Sequence, residues 1–259
     1  MGMTQSLPRT NFNSSRLLRL LAHLSIDDAA ESKQAFAERL GQWLDLSDAI
    51  ALHAAHKASA WNSSAAQSGV QSLAGVAVED EFTRVRTALV NSITASFSPD
   101  IGETRIKLPT PKPAADMASA AAYEPYRRFH VAHQADMELS VRSLRSSVRQ
   151  ALSRASATLK QLAALDEVLD KILCARERQL LSTVPLLLER RFEQWLQAHQ
   201  QPLVCARQTA APALTMQPGG WLADFCKELQ GVLLAELDLR LQPTVGLIEA
   251  LRNEANKQK

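Results

Sequence analysis

Residues 123–199 read YEPYRRFHVAHQADMELSVRSLRSSVRQALSRASATLKQLAALDEVLDKILCARERQLLSTVPLLLERRFEQWLQAH. No proline falls between Pro125 and Pro185, and the stretch holds no glycine. Pro125 suits the first turn of a helix, with Glu124 ahead of it. Met137, Val141, Leu144, Val148, Ala151 and Leu152 recur at three- and four-residue steps. That heptad-like stripe suits packing against another long helix. Around RASAT (154–158), Ser156 can cap a new helix, so a tight reversal is expected there. Beyond Leu159 the stripe resumes at Leu162, Leu165, Leu169, Ile172 and Leu173. An antiparallel hairpin would turn the two stripes toward each other. Pro185 must kink the chain or begin a further helix, and Ser182 and Thr183 offer caps before it. That helix ends near His199.

Residues 1–13 are polar and read as a frayed tail. A short helix, SSRLLRLLAHL (14–24), places Leu17, Leu20, Leu21 and Leu24 on one face. A longer helix over 28–60 carries Phe36, Leu40, Trp43, Leu44 and Ile50 in apolar positions. Residues 62–75 are small and polar and read as a loop. A third helix over 77–97 spaces Phe82, Val85, Leu89 and Ile93 by three or four. Pro99, Pro109, Pro111 and Pro113 mark 98–122 as an extended, surface-running connector. Residues 14–97 thus form an N-terminal helical unit and 123–199 the central hairpin. A second loop covers 200–220. The last segment, 221–259, starts with a helix over 221–240 whose apolar side includes Trp221, Leu222, Phe225, Leu229, Val232 and Leu233. Pro243 is expected to stop it, before a short helix over 244–254 and a polar tail. The fold class is all-α: a long antiparallel hairpin with a coiled-coil-like core and shorter N- and C-terminal helices packed on it.

Bulk composition agrees. Of 259 residues, 46% are apolar but only 5% aromatic, and no alternating run suggests a strand. A net charge of +2 does not by itself argue for nucleic acid. Cys174, Cys205 and Cys226 are odd in number and form no metal-binding or redox pair, which fits a reducing cytoplasm. The N-terminal residues lack an apolar leader segment, and no apolar run approaches the ~20 residues that cross a bilayer. No direct membrane span is expected.

The charged residues give the functional candidates. Arg127, Arg128, Arg142, Arg145, Arg149, Arg154 and Lys160 lie in 34 residues that contain two acidic side chains, Asp136 and Glu138. On a helix, Arg142, Arg145 and Arg149 fall within roughly 60° of one another, flanking the apolar stripe. With Arg127 and Arg128, that ridge could follow a phosphate backbone or meet an acidic partner. The plainer reading is a solvated flank, with Glu138 pairing to Arg142. No aromatic is interleaved, so a single-strand stacking platform is not indicated. His53 with His56, and His130 with His133, sit one turn apart without a third ligand, so no metal is assigned. His130 and His133 share the face of Met137 and Val141 and fit a helix interface better. Asp45, Asp48 and Asp166 read as surface or capping groups. There is no GxSxG elbow and no glycine-rich phosphate loop, so no catalytic residue and no cofactor is assigned. Glu236 and Arg240 read as an ordinary i,i+4 pair. Met137, Val141, Leu144 and Val148, with Leu229 and Leu233, form a candidate self-association or partner stripe, and a homodimer is expected from it.

Three blocks carry a resemblance: FAERLGQWLDLSDAIALHAAH (36–56), the run from YRRFHVAHQADMELSVRSLRSSVRQAL to LKQLAALDEVLDKILCARERQLLSTVPLLLERRFEQW (126–195), and WLADFCKELQGVLLAELDLRLQPTVGLIEALR (221–252). Together they resemble a proteobacterial family of all-helical proteins, a domain of unknown function. The order of LAALD, ARERQLL, VPLLLE and RRFE is its most specific part. Members occur as a cytoplasmic component of type III Zorya anti-phage defence systems, beside an ion-driven membrane motor. The resemblance implies a non-enzymatic subunit that acts with a second soluble subunit and is linked indirectly to the motor, with DNA as a candidate ligand. The alternative is a scaffold or adaptor that joins a partner effector to the motor without touching nucleic acid. The family supplies no catalytic residues to carry over.

Overall fold

The computed structural model describes residues 15–24, 41–57, 71–98, 104–111, 122–200 and 220–257. Among them lie seven helices and no strand: α1 Arg16–Leu24, α2 Leu46–Lys57, α3 Gln71–Ser96, α4 Glu124–Ala155, α5 Ala157–Leu181, α6 Val184–Gln200 and α7 Trp221–Lys257. The fold is all-α.

Helix α4 opens with Glu124 and Pro125 in its first turn, and Glu124 pairs with both Arg127 and Arg128. Its buried side chains are Tyr126, Phe129, His130, His133, Met137, Val141, Leu144, Val148, Leu152 and Ala155. Steps of three and four residues keep them on one face. The helix ends at Ser156, whose backbone is extended, and the Ser156 hydroxyl accepts the Leu159 amide at 3.2 Å to start α5. Ion pairs then join residue 138 to 178, 145 to 170 and 149 to 166, so α5 runs back along α4.

The two stripes do not simply face each other. On α5 only Leu159, Ala163 and Leu181 are buried, while Leu162, Leu165, Leu169, Ile172 and Leu173 are half-buried. Helix α4 packs against α7 as extensively as against α5, and α7 also contacts α1, α3, α5 and α6. Leu222, Phe225, Leu229, Val232, Leu233, Ala235 and Leu237 of α7 are all buried. The C-terminal helix is therefore a central strut, 37 residues long, and not a short element laid on a hairpin. Pro243 lies inside it. The expected stop fails because Pro243 and Leu239, the carbonyl that loses its donor, both sit on the exposed side. Neighbours beyond them, Thr244, Leu247, Ile248 and Leu251, are buried and hold the next turns in place.

Other boundaries shift for local reasons. Ser182 and Thr183 separate α5 from α6, but their hydroxyls donate back to the Gln179 and Leu180 carbonyls. They close the end of α5 and do not cap α6. The Tyr123 hydroxyl donates to the Pro185 carbonyl at 2.8 Å, tying the start of α4 to the start of α6. Helix α2 begins at Leu46 because Asp45 and Asp48 form a reciprocal cap: Asp48 N donates to Asp45 and Asp45 N to Asp48. The helix expected over 28–60 is thus interrupted at Leu44 and Asp45, and its part over 28–40 lies outside the described residues. Helix α3 begins at Gln71, inside the segment expected to be a loop; residues 62–70 of that segment are outside the described residues. Part of the proline-rich connector is pinned to the body. Ser96 donates to the Ile106 carbonyl, and Ile106 and Leu108 pack on the core.

Aromatics concentrate at one end. Tyr123, Tyr126, Phe192, Trp221 and Phe225 join α4, α6 and α7, with Phe192 and Phe225 rings 5.1 Å apart and near perpendicular. Edge-to-face contacts of this kind add roughly 0.5–1.5 kcal/mol each beyond burial.

Candidate functional site

Helix α4 carries polar groups on two sides, and the structure treats them in opposite ways. Toward α7, the Glu236 carboxylate is fully buried. Gln134 Nε2 donates to its two oxygens at 3.1 and 3.0 Å and to the Leu181 carbonyl at 3.1 Å. Arg240 donates from Nε at 3.0 Å and Nη2 at 2.8 Å, and His130 Nε2 stands 3.3 Å away. Arg240 also reaches Glu177 of α5 at 3.2 Å. Burial raises the Glu236 carboxyl, but the hydrogen bond and charge of His130, the charge of Arg240 and the Gln134 donor outweigh it, and the group is held below its ordinary value. A buried carboxylate of this kind is tolerable because its lone pairs are filled. One turn along, His133 packs its ring edge-on against Phe129 at 4.7 Å. Burial lowers its pKa to about 4, against the opposing pull of Asp136. His133 is a neutral core residue at neutral pH, on the helix interface that its spacing indicated.

Toward α5, Arg145 and Arg149 are 14% and 15% exposed and grip the same two aspartates. Arg145 binds Asp166 at 2.6 Å and Asp170 at 2.8 Å, and Arg149 binds Asp166 at 2.7 Å and Asp170 at 2.5 Å. Burial pulls the Arg149 guanidinium down, but the two carboxylates together raise it. This two-by-two ladder is invisible to i,i+4 counting on α4, because both acids come from the next helix. Asp166 is a clamp rather than a cap.

The remaining arginines of the ridge are more open. Arg127 and Arg128 share Glu124, and Arg142, 55% exposed, shares Glu138 with Arg178. Arg127 and Arg128 stand at one end of α4 and Arg142 roughly 20 Å along it, at 1.5 Å per residue. The ridge is therefore divided: two arginines turned inward and three at the surface, each sharing its carboxylate.

The six stripe residues, Met137, Val141, Leu144, Val148, Leu229 and Leu233, are all buried within the chain. Their apolar area is used in the fold and is not a surface offered to a second copy. His53 and His56 are exposed, and His56 accepts Gln161 of α5 through its carbonyl, docking α2 on α5. Among the described residues no group of three or more His, Cys, Asp or Glu is arranged to hold a metal ion. None of the described helices is long and apolar enough to cross a membrane.

Sequence reasoning missed one surface feature, a groove of about 430 Å³ between α4, α5 and α7, with Trp43 from the segment before α2 also in its lining. Val141, Leu173, Leu180, Leu181, Leu239 and Pro243 line it, with arginines at the mouth. Leu180 and Leu239 are 51% and 39% exposed. The available signal was a leucine at each position that breaks the polar face of its helix.

A family model described as "Protein of unknown function (DUF3348)" matches residues 3–253, and the chain belongs to that family. No curated protein and no solved structure matches it.

Proposed function

We propose that the chain is a non-enzymatic subunit that works by binding a partner protein, within a bacterial anti-phage system of the type III Zorya kind. The system rests on the resemblance of residues 36–56, 126–195 and 221–252 to that family. The mode of action rests on the inward pairing of Arg145 and Arg149 with Asp166 and Asp170. Each guanidinium spends its charge on two carboxylates and is only 14–15% exposed, so it offers a phosphate little compared with an open arginine. This favours the scaffold or adaptor reading, in which the chain joins a second soluble subunit, or an effector, to the ion-driven membrane motor. The test is to mix the purified chain with the second soluble subunit of such a system and size the mixture by light scattering. A mixed complex is expected; separate species at micromolar concentrations would remove the reading. The chain alone in the same run reports self-association, which must then use a surface other than the buried stripe.

A second reading keeps DNA. Arg127, Arg128 and Arg142 are exposed, with two arginines to each carboxylate, so positive charge remains at the start of α4 and near its middle. Fluorescence anisotropy on a labelled duplex then shows affinity that falls steeply with salt, with a slope reduced by about one on Arg142→Glu. Absence of saturable binding, with or without the partner, or a slope that Arg142→Glu leaves unmoved, rules DNA out. Arg145→Glu is unsuitable for this purpose, since it breaks the ladder.

A further inference from the structure

We infer that the groove between α4, α5 and α7 receives an acidic, leucine-faced helix of a partner protein. The inference rests on the partner-binding reading and gives it a surface.

Shape comes first. The α5 wall runs from Asp170 to Leu181, about 16 Å or three turns at 1.5 Å per residue. A helix of that length fits a trough already walled by helices, in the helix-in-groove mode. The floor is apolar, and Leu180 and Leu239 stand half out of it with no helix laid over them among the described residues. Exposed leucines converging on one trough from two helices are the kind of patch that marks an interaction site. Pro243, at the far edge, has no N–H for the Leu239 carbonyl, which leaves an acceptor beside the trough.

Charge selects the partner. Arg142, Arg176 and Arg178 surround the mouth, and all three are exposed. One carboxylate, Glu138, accepts from Arg142 at 2.7 Å and from Arg178 at 2.8 Å. Arg176 lies 5.3 Å over the Trp43 ring and donates to Gln179; among the described residues no carboxylate pairs with it. Glu177, half exposed, also lines the groove and pairs with Arg240, whose charge Glu236 already meets; with Glu138 that sets two carboxylates against the three open arginines and leaves an excess of guanidinium. Acidic side chains flanking an apolar stripe would meet these arginines while their leucines fill the floor. Basic flanks would face like charge.

The probe is a fluorescein-labelled helical peptide of about 14 residues, leucines on one face and glutamates on the other, with a twin in which lysine replaces glutamate. The full chain should bind the acidic peptide about tenfold or more tighter than the lysine twin by anisotropy. Leu180→Glu should weaken the acidic peptide at least about tenfold, and Arg178→Glu should lessen the preference between the twins. Leu139→Glu, on the α3 side of α4, should leave binding unchanged, and circular dichroism melts confirm that each variant folds. Equal binding of the twins, no saturable binding, or insensitivity to Leu180→Glu in a folded variant would overturn the groove assignment. So would displacement of the acidic peptide by a duplex oligonucleotide while Leu180→Glu has no effect. None of those outcomes touches the mixed complex above, whose own absence would remove the partner-binding reading independently.

Discussion

Helix α4 meets α7 on one side and α5 on another, and the two interfaces are held by different physics. Where α4 meets α7, Met137, Leu144, Val148 and Leu152 of α4 and Leu229, Leu233 and Leu237 of α7 are all buried, and the one carboxylate admitted, Glu236, has both oxygens hydrogen-bonded. Against α5, the facing leucines are only half-buried, and the contact is pinned by Arg145 and Arg149 on Asp166 and Asp170. Removing a charge therefore means different things on the two sides. At α7 it strands a buried partner. At α5 the partner retains a second guanidinium or carboxylate and some access to water.

The largest effect is expected at α7. Glu236→Ala leaves Arg240 buried with Glu177 alone and takes the acceptor from Gln134 and His130. Chemical denaturation should show a loss of roughly 3–5 kcal/mol. Replacing Glu236 and Arg240 together by leucine should cost less than the single change, because no charge is stranded. If the double variant were the less stable, the centre would be stabilising in its own right.

A pH series sharpens the same side. His133 has its folded pKa lowered from 6.5 to about 4 by burial. Between these values the unfolded chain binds a proton that the folded chain refuses, so stability falls as pH drops through the window. The fall amounts to about 3 kcal/mol at 1.36 kcal/mol per unit and levels off below pH 4. His133→Phe should flatten the window. Glu236 adds a second contribution at the acidic end of this range and below it. Its depressed pKa contributes stability above its ordinary 4.5 that is lost as pH falls through the folded value.

A smaller effect is expected at the turn joining α4 to α5. Ser156→Ala removes the side-chain acceptor for the Leu159 amide and should cost about 1 kcal/mol in denaturant melts. Ser156→Asp, which restores an acceptor at the start of α5, should recover most of it.

Much of this was legible from residue spacing. The α4 stripe, the cap at Ser156, the break before Pro185 and the core histidines all follow from local periodicity and capping. What failed required knowledge of neighbours. Pro243 reads as a stop until the buried turns on both sides of it are seen to hold the helix together. Glu236 and Arg240 do form the i,i+4 pair that their spacing indicates, but its burial depends on neighbours that the leucines in LLAELDLRL only hint at. Arg145 and Arg149 look free because their acids lie 17 to 25 residues away in sequence, on the opposing helix. Leu229 and Leu233 resemble a dimer seam for the same reason: an apolar stripe does not announce which helix will cover it.

Arg145 and Arg149 of α4 turn inward as a clamp on α5. A double-mutant cycle on Arg145→Ala and Asp166→Ala measures this directly by urea denaturation. A clamp gives a coupling energy of roughly 1–3 kcal/mol that shrinks in high salt. Single changes that add to within about 0.5 kcal/mol would show the pair to be uncoupled and would return both arginines to the open ridge.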